Sequence, residues 1–397
     1  MKYLFLLFLF FYQNTYGQGK DITGIVVNGE DNSKLASASI FINNTSKGTI
    51  SDASGTFTLT GITDKSFDLI ISYTGFTTVS IKITPGNLDR FHTIKMFPRK
   101  QTMDDISIIA PEKDGWKKWG KFFTDMFLGE SDFAKSCTIE NPKAMRFFYD
   151  KIQKRLTAYS NENLIIRNEA LGYLVKYQLE EFNYDFGNKV VTYIGYTSFE
   201  DLKTRNSKKR NRWLEARMEA YSGSLMHFMR AVFAGTVAEE GFDVREKLRI
   251  FNTDTLFKKI YRPGYMPEVI AGNDHYTAIA GAIPAFKKIP DYIELINHEI
   301  FSFKNAVTFD SALMEKEFYF ENYLQVVYKK AFVKADYLLA NGFSPILKLN
   351  PDSDALLLGD DPLIIEKDGS YFNPMNVIVS GYWWWCKMAE MVPTDFY

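Results

Sequence analysis

The sequence predicts an α+β protein in which an N-terminal all-β sandwich is followed by a larger β-rich domain with one long central helix. Two observations predict the strands: short runs of β-branched and aromatic residues lie between turn formers, and aromatic residues make up 16% of the 397 positions. A third observation predicts the helix, because bulky residues recur every three or four positions over residues 212–236.

Residues 1–17 have the pattern of a secretory signal peptide. Lys2 precedes an apolar run over residues 3–12, and a polar stretch then ends at the small residue Gly17. A membrane-spanning helix needs about 20 apolar residues, so this run is too short for one. We therefore expect cleavage near Gly17 and export to the periplasm or the outer-membrane-associated cell envelope. No later segment has 18 consecutive apolar residues, so no transmembrane span is expected.

The first domain, residues 21–97, contains short strand-like runs separated by turns rich in Asn, Asp, Ser and Gly. In one of them Phe57 and Leu59 alternate with threonines, which is typical of a strand with one buried and one solvated face. Six or seven strands in fewer than 80 residues indicate a sandwich. The runs span residues 22–27, 38–42, 55–59, 67–73, 77–83 and 91–96.

Three segments of this domain carry a resemblance to a known family. They are Thr23-Gly24-Ile25-Val26, the stretch over residues 48–57 with its Asp-x-x-Gly-x-Phe turn, and Ser72-Tyr73-Thr74-Gly75-Phe76. The domain resembles the carboxypeptidase-regulatory-like family, which implies a seven-stranded, transthyretin-like sandwich.

The residues of these turns are expected to have structural roles. Asp52 can close an Asx-type turn, and Gly55 can adopt a positive φ angle. Phe57 is then expected to point into the core, and Gly75 to form a second turn. None of these positions is expected to bind a ligand.

Catalytic motifs are missing from the sequence. A zinc carboxypeptidase needs a His-x-x-Glu pair, and none of the four histidines, His92, His227, His275 and His298, begins one. The sequence also has no His-Glu-x-x-His, no nucleophile elbow and no phosphate- or dinucleotide-binding glycine pattern. No metal or cofactor is therefore expected, and a non-catalytic role is favoured.

Residues 98–115 are expected to form a linker with a short strand over 106–109, and residues 116–397 an α+β domain. Continuous apolar runs in the second domain are typical of strands in a globular core. The candidate strands are residues 144–149, 164–167, 171–181, 189–196, 292–303, 324–330, 355–358 and 363–366.

The predicted central helix spans residues 212–236. Leu214, Met218, Tyr221 and three later bulky residues would form one stripe, with small residues on the opposite side. Gly223 lies on that small side, where its bare backbone would let a neighbouring element approach closely. We therefore expect the helix to be packed on two sides.

His227 also falls on the small side of this helix, and two interpretations stay open. It can be a hydrogen-bonded core residue, or it can line a cleft with Arg230 and Tyr221 that holds an anionic or polar group. A second cluster, Asp274-His275 with His298-Glu299, matches no metal-ligand spacing, so surface loops are favoured over a metal or acid–base site.

Two further features leave alternatives open. The aromatic run over residues 382–385 could stack on a sugar or a partner, or be buried against residues 356–358. Cys137 and Cys386 could form one disulfide or remain two isolated thiols.

A second resemblance covers most of the chain. Ile139-Glu140-Asn141-Pro142, the run over residues 221–230 and Gly381-Tyr382-Trp383 are similar to exported Bacteroidota proteins that join a regulatory-like sandwich to a larger C-terminal region. This resemblance implies an envelope location and brings no catalytic residue.

Charge and motifs together limit the function. A net charge of −1 excludes non-specific binding to nucleic acid. We expect a non-catalytic binding or structural role in the envelope, with a protein, peptide or glycan as partner. The alternative is a hydrolase of peptides or glycans that acts through a cleft near His227 and Arg230.

Overall fold

The computed structural model describes residues 19–62, 65–99, 110–251, 253, 276–278, 292–311, 314–372 and 374–396. The expected signal peptide and the expected strand over 106–109 lie outside these residues. The chain divides into two compact units, one made of the described parts of Met1–Phe41 and Gly48–Arg99, the other of Ile42–Lys47 and Lys100–Tyr397.

The first unit has two small sheets. One has the strand order β4-β1-β7, in which β1 pairs antiparallel with β4 and parallel with β7, and the other has the order β3-β2-β5-β6. All six strand-like runs of the sequence coincide with strands, and β3 is the seventh. The strands are β1 (Lys20–Asn28), β2 (Ser39–Ile42), β3 (Gly48–Ile50), β4 (Thr56–Ile62), β5 (Phe67–Ser72), β6 (Val79–Ile83) and β7 (His92–Met96).

The core of the first unit comes from residues of both sheets, alternating along β4 and continuous over Leu69–Ser72 of β5. Ile22 and Val26 of β1 are fully buried, as are Leu69 and Ile71 of β5. Phe57 of β4 is buried among them. Burial of such side chains is the main favourable term in the folding of a small sandwich.

The second unit begins with helices α1 (Gly115–Phe127) and α2 (Asp132–Lys135) and continues into a six-stranded antiparallel sheet. The strand order is β8-β11-β12-β10-β9, with β13 also paired to β12. The strands are β8 (Cys137–Ile139), β9 (Met145–Asp150), β10 (Arg155–Ser160), β11 (Leu164–Asn168), β12 (Tyr173–Asp185) and β13 (Val190–Asp201).

Aromatic side chains of α1 pack on this sheet. Phe123 and Phe127 are fully buried, with ring centroids 5.1 Å apart, and Phe123 also contacts Phe147 and Phe182 edge to face. Edge-to-face and offset contacts of this kind add to the burial of apolar area. Much of the high phenylalanine content is therefore used in this core.

The continuous helix predicted over residues 212–236 is wrong, because the segment forms two helices. They are α3 (Ser207–Tyr221) and α4 (Leu225–Ala234). Asn206 caps α3 and Ser224 caps α4, each accepting from a backbone N–H three residues later. The predicted bulky stripe also fails on α3, where Leu214 and Met218 are exposed.

A second six-stranded sheet, of order β15-β16-β14-β19-β20-β23, and a four-stranded sheet, of order β17-β18-β21-β22, follow. The strands of the second half are β14 (Phe242–Phe251), β15 (Tyr276–Ala278), β16 (Tyr292–Asn297), β17 (Val307–Asp310), β18 (Glu315–Phe318), β19 (Tyr323–Tyr328), β20 (Asp352–Leu357), β21 (Leu363–Ile365), β22 (Tyr371–Phe372) and β23 (Val377–Gly381). The helices are α5 (Ala335–Ala340) and α6 (Tyr382–Cys386).

The apolar face of the second six-stranded sheet packs on α4. Phe228 of α4, fully buried, contacts Phe242 of β14 and Trp383 of α6, each at 5.4 Å between ring centroids. The eight candidate strands of the second domain all coincide with strands of the structure, so the β-rich α+β class is confirmed. Among the residues described, no helix is long and apolar enough to cross a membrane.

Candidate functional site

An open cleft of about 500 Å³ lies beside α4, and the three residues that the sequence singles out for binding line it together. Tyr221 ends α3, while His227 and Arg230 belong to α4. Six further residues complete the lining. They are Ala231, Phe233, Ala234, Thr236, Glu240 and Lys367.

The break between α3 and α4 positions His227. Gly223 has φ +79°, and a Cβ at this position would lie 2.6 Å from the ring of Tyr328. The backbone N–H of Gly223 donates to Nδ1 of His227 at 3.0 Å. Gly223 therefore allows a close approach, but at a turn between two helices and not within a helix.

Both ring nitrogens of His227 are engaged. Nδ1 accepts the hydrogen bond from Gly223, and Nε2 lies 3.2 Å from Oε2 of Glu240. A nitrogen that accepts from a backbone N–H carries no proton, so the neutral ring donates from Nε2 to the Glu240 carboxylate. In this arrangement neither ring nitrogen is available to take a proton from a substrate.

Burial lowers the pKa of His227 below its ordinary value of 6.5, although the hydrogen bond and charge of Glu240 oppose this effect. The ring packs against Tyr221 at 4.8 Å and Phe242 at 4.9 Å between centroids. His227 is thus a hydrogen-bonded core residue and also part of the cleft wall, so the two interpretations of the sequence describe the same side chain.

Arg230 is held in a fixed orientation. Its Nε donates to the carbonyl of Asp368 and one Nη to the carbonyl of Thr394, both at 2.8 Å. The guanidinium also lies over the ring of Tyr221, 5.0 Å from its centroid. These contacts fix the position and orientation of the guanidinium at the cleft wall.

Glu240 and Lys367 reach the cleft through two glycine turns. At the end of α4, Gly235 has φ +74° and the backbone N–H of Thr236 donates to Ala231, which turns the chain back toward His227. In the turn after β21, a Cβ on Gly369 would lie 2.6 Å from the carbonyl of Met226 in α4. That close packing places the exposed Lys367 beside α4.

The sequence did not point to Glu240 or Lys367 as site residues. The Gly235 signal after an apolar helix indicates a helix end, but it does not say where the chain goes next. Lys367 is separated from Arg230 by more than a hundred residues of strand and loop, so only the folded chain brings the two cations together.

The aromatic run over residues 382–385 forms the short helix α6, so its side chains point in different directions. Trp383 is buried in the same core as Leu357, and its Nε1 donates to the carbonyl of Gly223 at 2.8 Å. Trp384 is partly exposed, with Lys387 over its ring at 4.6 Å. Trp383 is therefore the member of the run that belongs to the core, while Tyr382 and Trp385 are half-buried.

The turn in the first unit is organised by Asp52. Its Oδ1 accepts from the backbone N–H of Ser54 and of Thr56, and Oδ2 accepts from the Thr56 hydroxyl at 2.6 Å. These hydrogen bonds, that of the Thr56 hydroxyl first, lower the pKa of Asp52 to about 2. Gly55 has φ +75° with Val26 O close by, and Gly75 has φ +84° with open space around it.

The second candidate cluster of the sequence lies only partly within the described residues. His298 and Glu299 lie in a loop after β16, while Asp274 and His275 lie outside the described residues. Within the described ranges, no three His, Cys, Asp or Glu side chains are placed to hold a metal ion. Cys137 and Cys386 are both free thiols, and burial raises the pKa of Cys137 to about 12.

Comparison with known proteins identifies the first domain. Residues 22–108 match the family model of the CarboxypepD_reg-like domain. This match supports the resemblance seen in the first unit and covers about a fifth of the chain. No curated protein matches the sequence.

Three solved structures share limited likeness with this chain. A pilus 2b backbone protein from group B streptococcus is 18% identical (TM-score 0.19; 21% of this chain, 42% of that one). A "putative carbohydrate binding protein" from Bacteroides uniformis is 11% identical (TM-score 0.18; 47% and 80%). A 9R-lipoxygenase from Cyanothece is 8% identical (TM-score 0.19; 56% and 49%). The chain spans less than half the length of the first and third, and TM-scores this low carry no argument about fold or function.

Proposed function

We propose that the protein is an exported, non-catalytic binding protein of the cell envelope, and that the cleft beside α4 binds a carboxylate-bearing ligand such as an acidic glycan or a peptide end. The leader-like residues 1–17 support export. The cleft, lined by Arg230 and Lys367 on an aromatic and apolar wall, supports binding.

The carrying observation is the preorganised charge of Arg230. Two backbone carbonyls and the Tyr221 ring fix the guanidinium at the cleft wall. A side chain that is already oriented loses little conformational entropy when an anion binds. More of the favourable interaction energy therefore contributes to the binding free energy. The exposed Lys367 adds a second positive charge at the same opening.

The apolar part of the wall favours a ligand with a nonpolar or ring-shaped body. Ala231, Ala234 and Phe233 line it together with Tyr221, and small alanines leave room beside the rings. The Glu240 carboxylate lies beside His227, and it would repel a negatively charged ligand group at that end of the cleft. A single carboxylate on the Arg230 and Lys367 side fits this pattern better than a polyanion.

Isothermal titration calorimetry with matched ligand pairs tests the proposal. Galacturonic acid oligomers are compared with galactose oligomers, and peptides with a free C-terminal carboxylate with their amidated forms. We expect binding of the acidic member of at least one pair, weakened about tenfold by Lys367→Ala and more by Arg230→Gln.

Lys151→Ala is the matched control, because Lys151 is an exposed lysine in the β9–β10 turn of the same unit. Its affinity should equal that of the wild type. The proposal would be contradicted if the acidic and the neutral ligand of each pair bound with equal affinity. It would also be contradicted if Lys151→Ala lost as much affinity as Lys367→Ala. Turnover of any peptide or glycan that is lost in His227→Ala would instead support a hydrolase.

A further inference from the structure

A second surface of the same unit has the composition of an interaction site. All residues over 339–349 are exposed, although this segment is rich in large apolar side chains. Ile346, at its tip, is 85% exposed. The exposed apolar side chains of this apolar tip are Leu339, Phe343, Ile346, Leu347 and Leu349, and Phe332 lies at its base.

The apolar tip has a defined conformation. At the end of α5, Gly342 has φ +75°, the N–H of Gly342 donates to Leu339 and that of Phe343 to Leu338. A turn then follows in which the N–H of Leu347 donates to the carbonyl of Ser344. The backbone of the tip is therefore fixed by local hydrogen bonds while its side chains stay exposed.

The base of the tip is anchored to the body of the unit. The N–H of Val333 donates to the carbonyl of Leu349, at 2.9 Å, and closes the excursion. Leu338 of α5 is buried, and Tyr337 packs edge to face on Tyr382 and Trp385. The exposed segment is therefore joined to a packed support.

Lysine is the commonest charged residue near this base, and one of these lysines, Lys334, pairs with Glu219 at 3.1 Å. Residues 329–350 contain four lysines and one aspartate. Lys329, Lys330 and Lys348 are exposed, and Lys329 stays 60% exposed although it pairs with Asp243. Aliphatic side chains at a tip with cations behind them match a lipid surface, where acyl chains lie beneath anionic phosphates.

We propose that the apolar tip inserts into the surface of an anionic lipid bilayer and attaches the protein to it peripherally. The continuous exposure of the tip and the exposed lysines next to it favour this occupant over a protein or a second copy. A segment whose residues are all exposed needs a matching groove on a protein, whereas a bilayer accepts aliphatic groups without a preformed site. This inference is independent of the ligand cleft.

Co-sedimentation of the full chain with vesicles of equal parts phosphatidylglycerol and phosphatidylethanolamine tests the proposal. The double variant Ile346→Asp with Leu347→Asp should bind at least tenfold more weakly than the wild type. Ile152→Asp is the control, because Ile152 is a 95% exposed isoleucine in a turn far along the chain. It should bind like the wild type. All the substituted side chains are exposed, so melting temperatures should be unchanged.

A second measurement separates tip insertion from any contribution of the apolar N-terminal run. In Ile346→Trp, tryptophan emission should shift to the blue when vesicles are added and be quenched by brominated lipid. Lys348→Glu should weaken binding, and phosphatidylcholine vesicles should bind the wild type more weakly.

Several results would overturn the proposal. They are no binding by the wild type, equal binding by the double variant, an unchanged emission spectrum, or equal binding to phosphatidylcholine. A dimer in size-exclusion chromatography that the double variant abolishes would also overturn it, because the tip would then be covered by a second copy.

Discussion

Trp383 donates a hydrogen bond from Nε1 to the carbonyl of Gly223, at 2.8 Å, across 160 positions of the sequence. The N–H of the same glycine donates to His227. The turn between α3 and α4 is therefore fixed by two side chains, one bonded to the N–H and the other to the carbonyl of Gly223. Because His227 and Tyr221 flank this turn, the same bonds determine the shape of the cleft.

Gly223→Ala should lower the free energy of unfolding by about 2–4 kcal/mol, measured by urea denaturation. The substitution combines an unfavourable positive φ with a Cβ placed against the Tyr328 ring. Gly235→Ala is the control, since Gly235 also has a positive φ but open space around its Cβ position, and it should lose only about 1 kcal/mol. Equal losses would mean that the close approach to Tyr328 has no energetic effect.

Trp383→Phe should cost about 1–2 kcal/mol, because it keeps most of the ring but removes the donor to a buried carbonyl. Trp384→Phe should change stability by less than about 0.5 kcal/mol, since Trp384 is partly exposed. Thermal unfolding of the two variants checks this. A larger loss of stability in Trp384→Phe than in Trp383→Phe would contradict the importance of the hydrogen bond from Trp383 to Gly223.

Stability should decrease in acid through His227. Its pKa is lowered in the folded chain, so the unfolded chain binds more protons between that lowered value and 6.5. The free energy of unfolding is therefore largest above pH 6.5 and falls as the pH drops through the folded pKa. His227→Asn retains an acceptor for the Gly223 N–H and cannot titrate, so this part of the pH dependence should disappear.

The comparison requires urea denaturation of the wild type and of His227→Asn between pH 5 and 8. An identical profile for the wild type and His227→Asn would show that His227 does not contribute to the acid sensitivity.

Lys247→Met in β14 should lower the free energy of unfolding by about 3–5 kcal/mol, measured by urea denaturation. Lys247 is buried, with its Nζ 2.6 Å from Asp354 and 3.4 Å from Glu294, so its removal leaves two largely buried carboxylates without that cation. Lys121→Met, which breaks an exposed pair with Asp125, should cost less than about 0.5 kcal/mol. Combining Lys247→Met with Asp354→Asn should recover part of the loss.

Both thiols should be unreactive in the folded protein. Burial raises the pKa of Cys137 to about 12 and that of Cys386 well above its ordinary value, so neither forms much thiolate at pH 8. A thiol assay with Ellman's reagent should detect almost none in buffer and two after denaturation. Fewer than two after denaturation would indicate a disulfide and contradict the free thiols of the structure.

The strands could be predicted because each depends on a local pattern. Alternation around Phe57 and the continuous apolar run over 363–365 each reflect burial on one or two faces, which the sequence displays directly. The helix over 212–236 was predicted incorrectly in the middle, since a periodic stripe continues across Ser222-Gly223-Ser224 whether or not the chain bends there. The bend depends on Tyr328 and Trp383, which are distant in sequence.

By itself, the sequence determined the β-rich class, the sandwich module and the three side chains Tyr221, His227 and Arg230 as a group on one short segment. Only the tertiary structure decided that Glu240 and Lys367 join them and that residues 339–349 stay exposed despite their apolar side chains. The physical reason is that periodicity records which side of a segment is buried, whereas a cleft or an exposed apolar segment depends on how separate segments pack against each other.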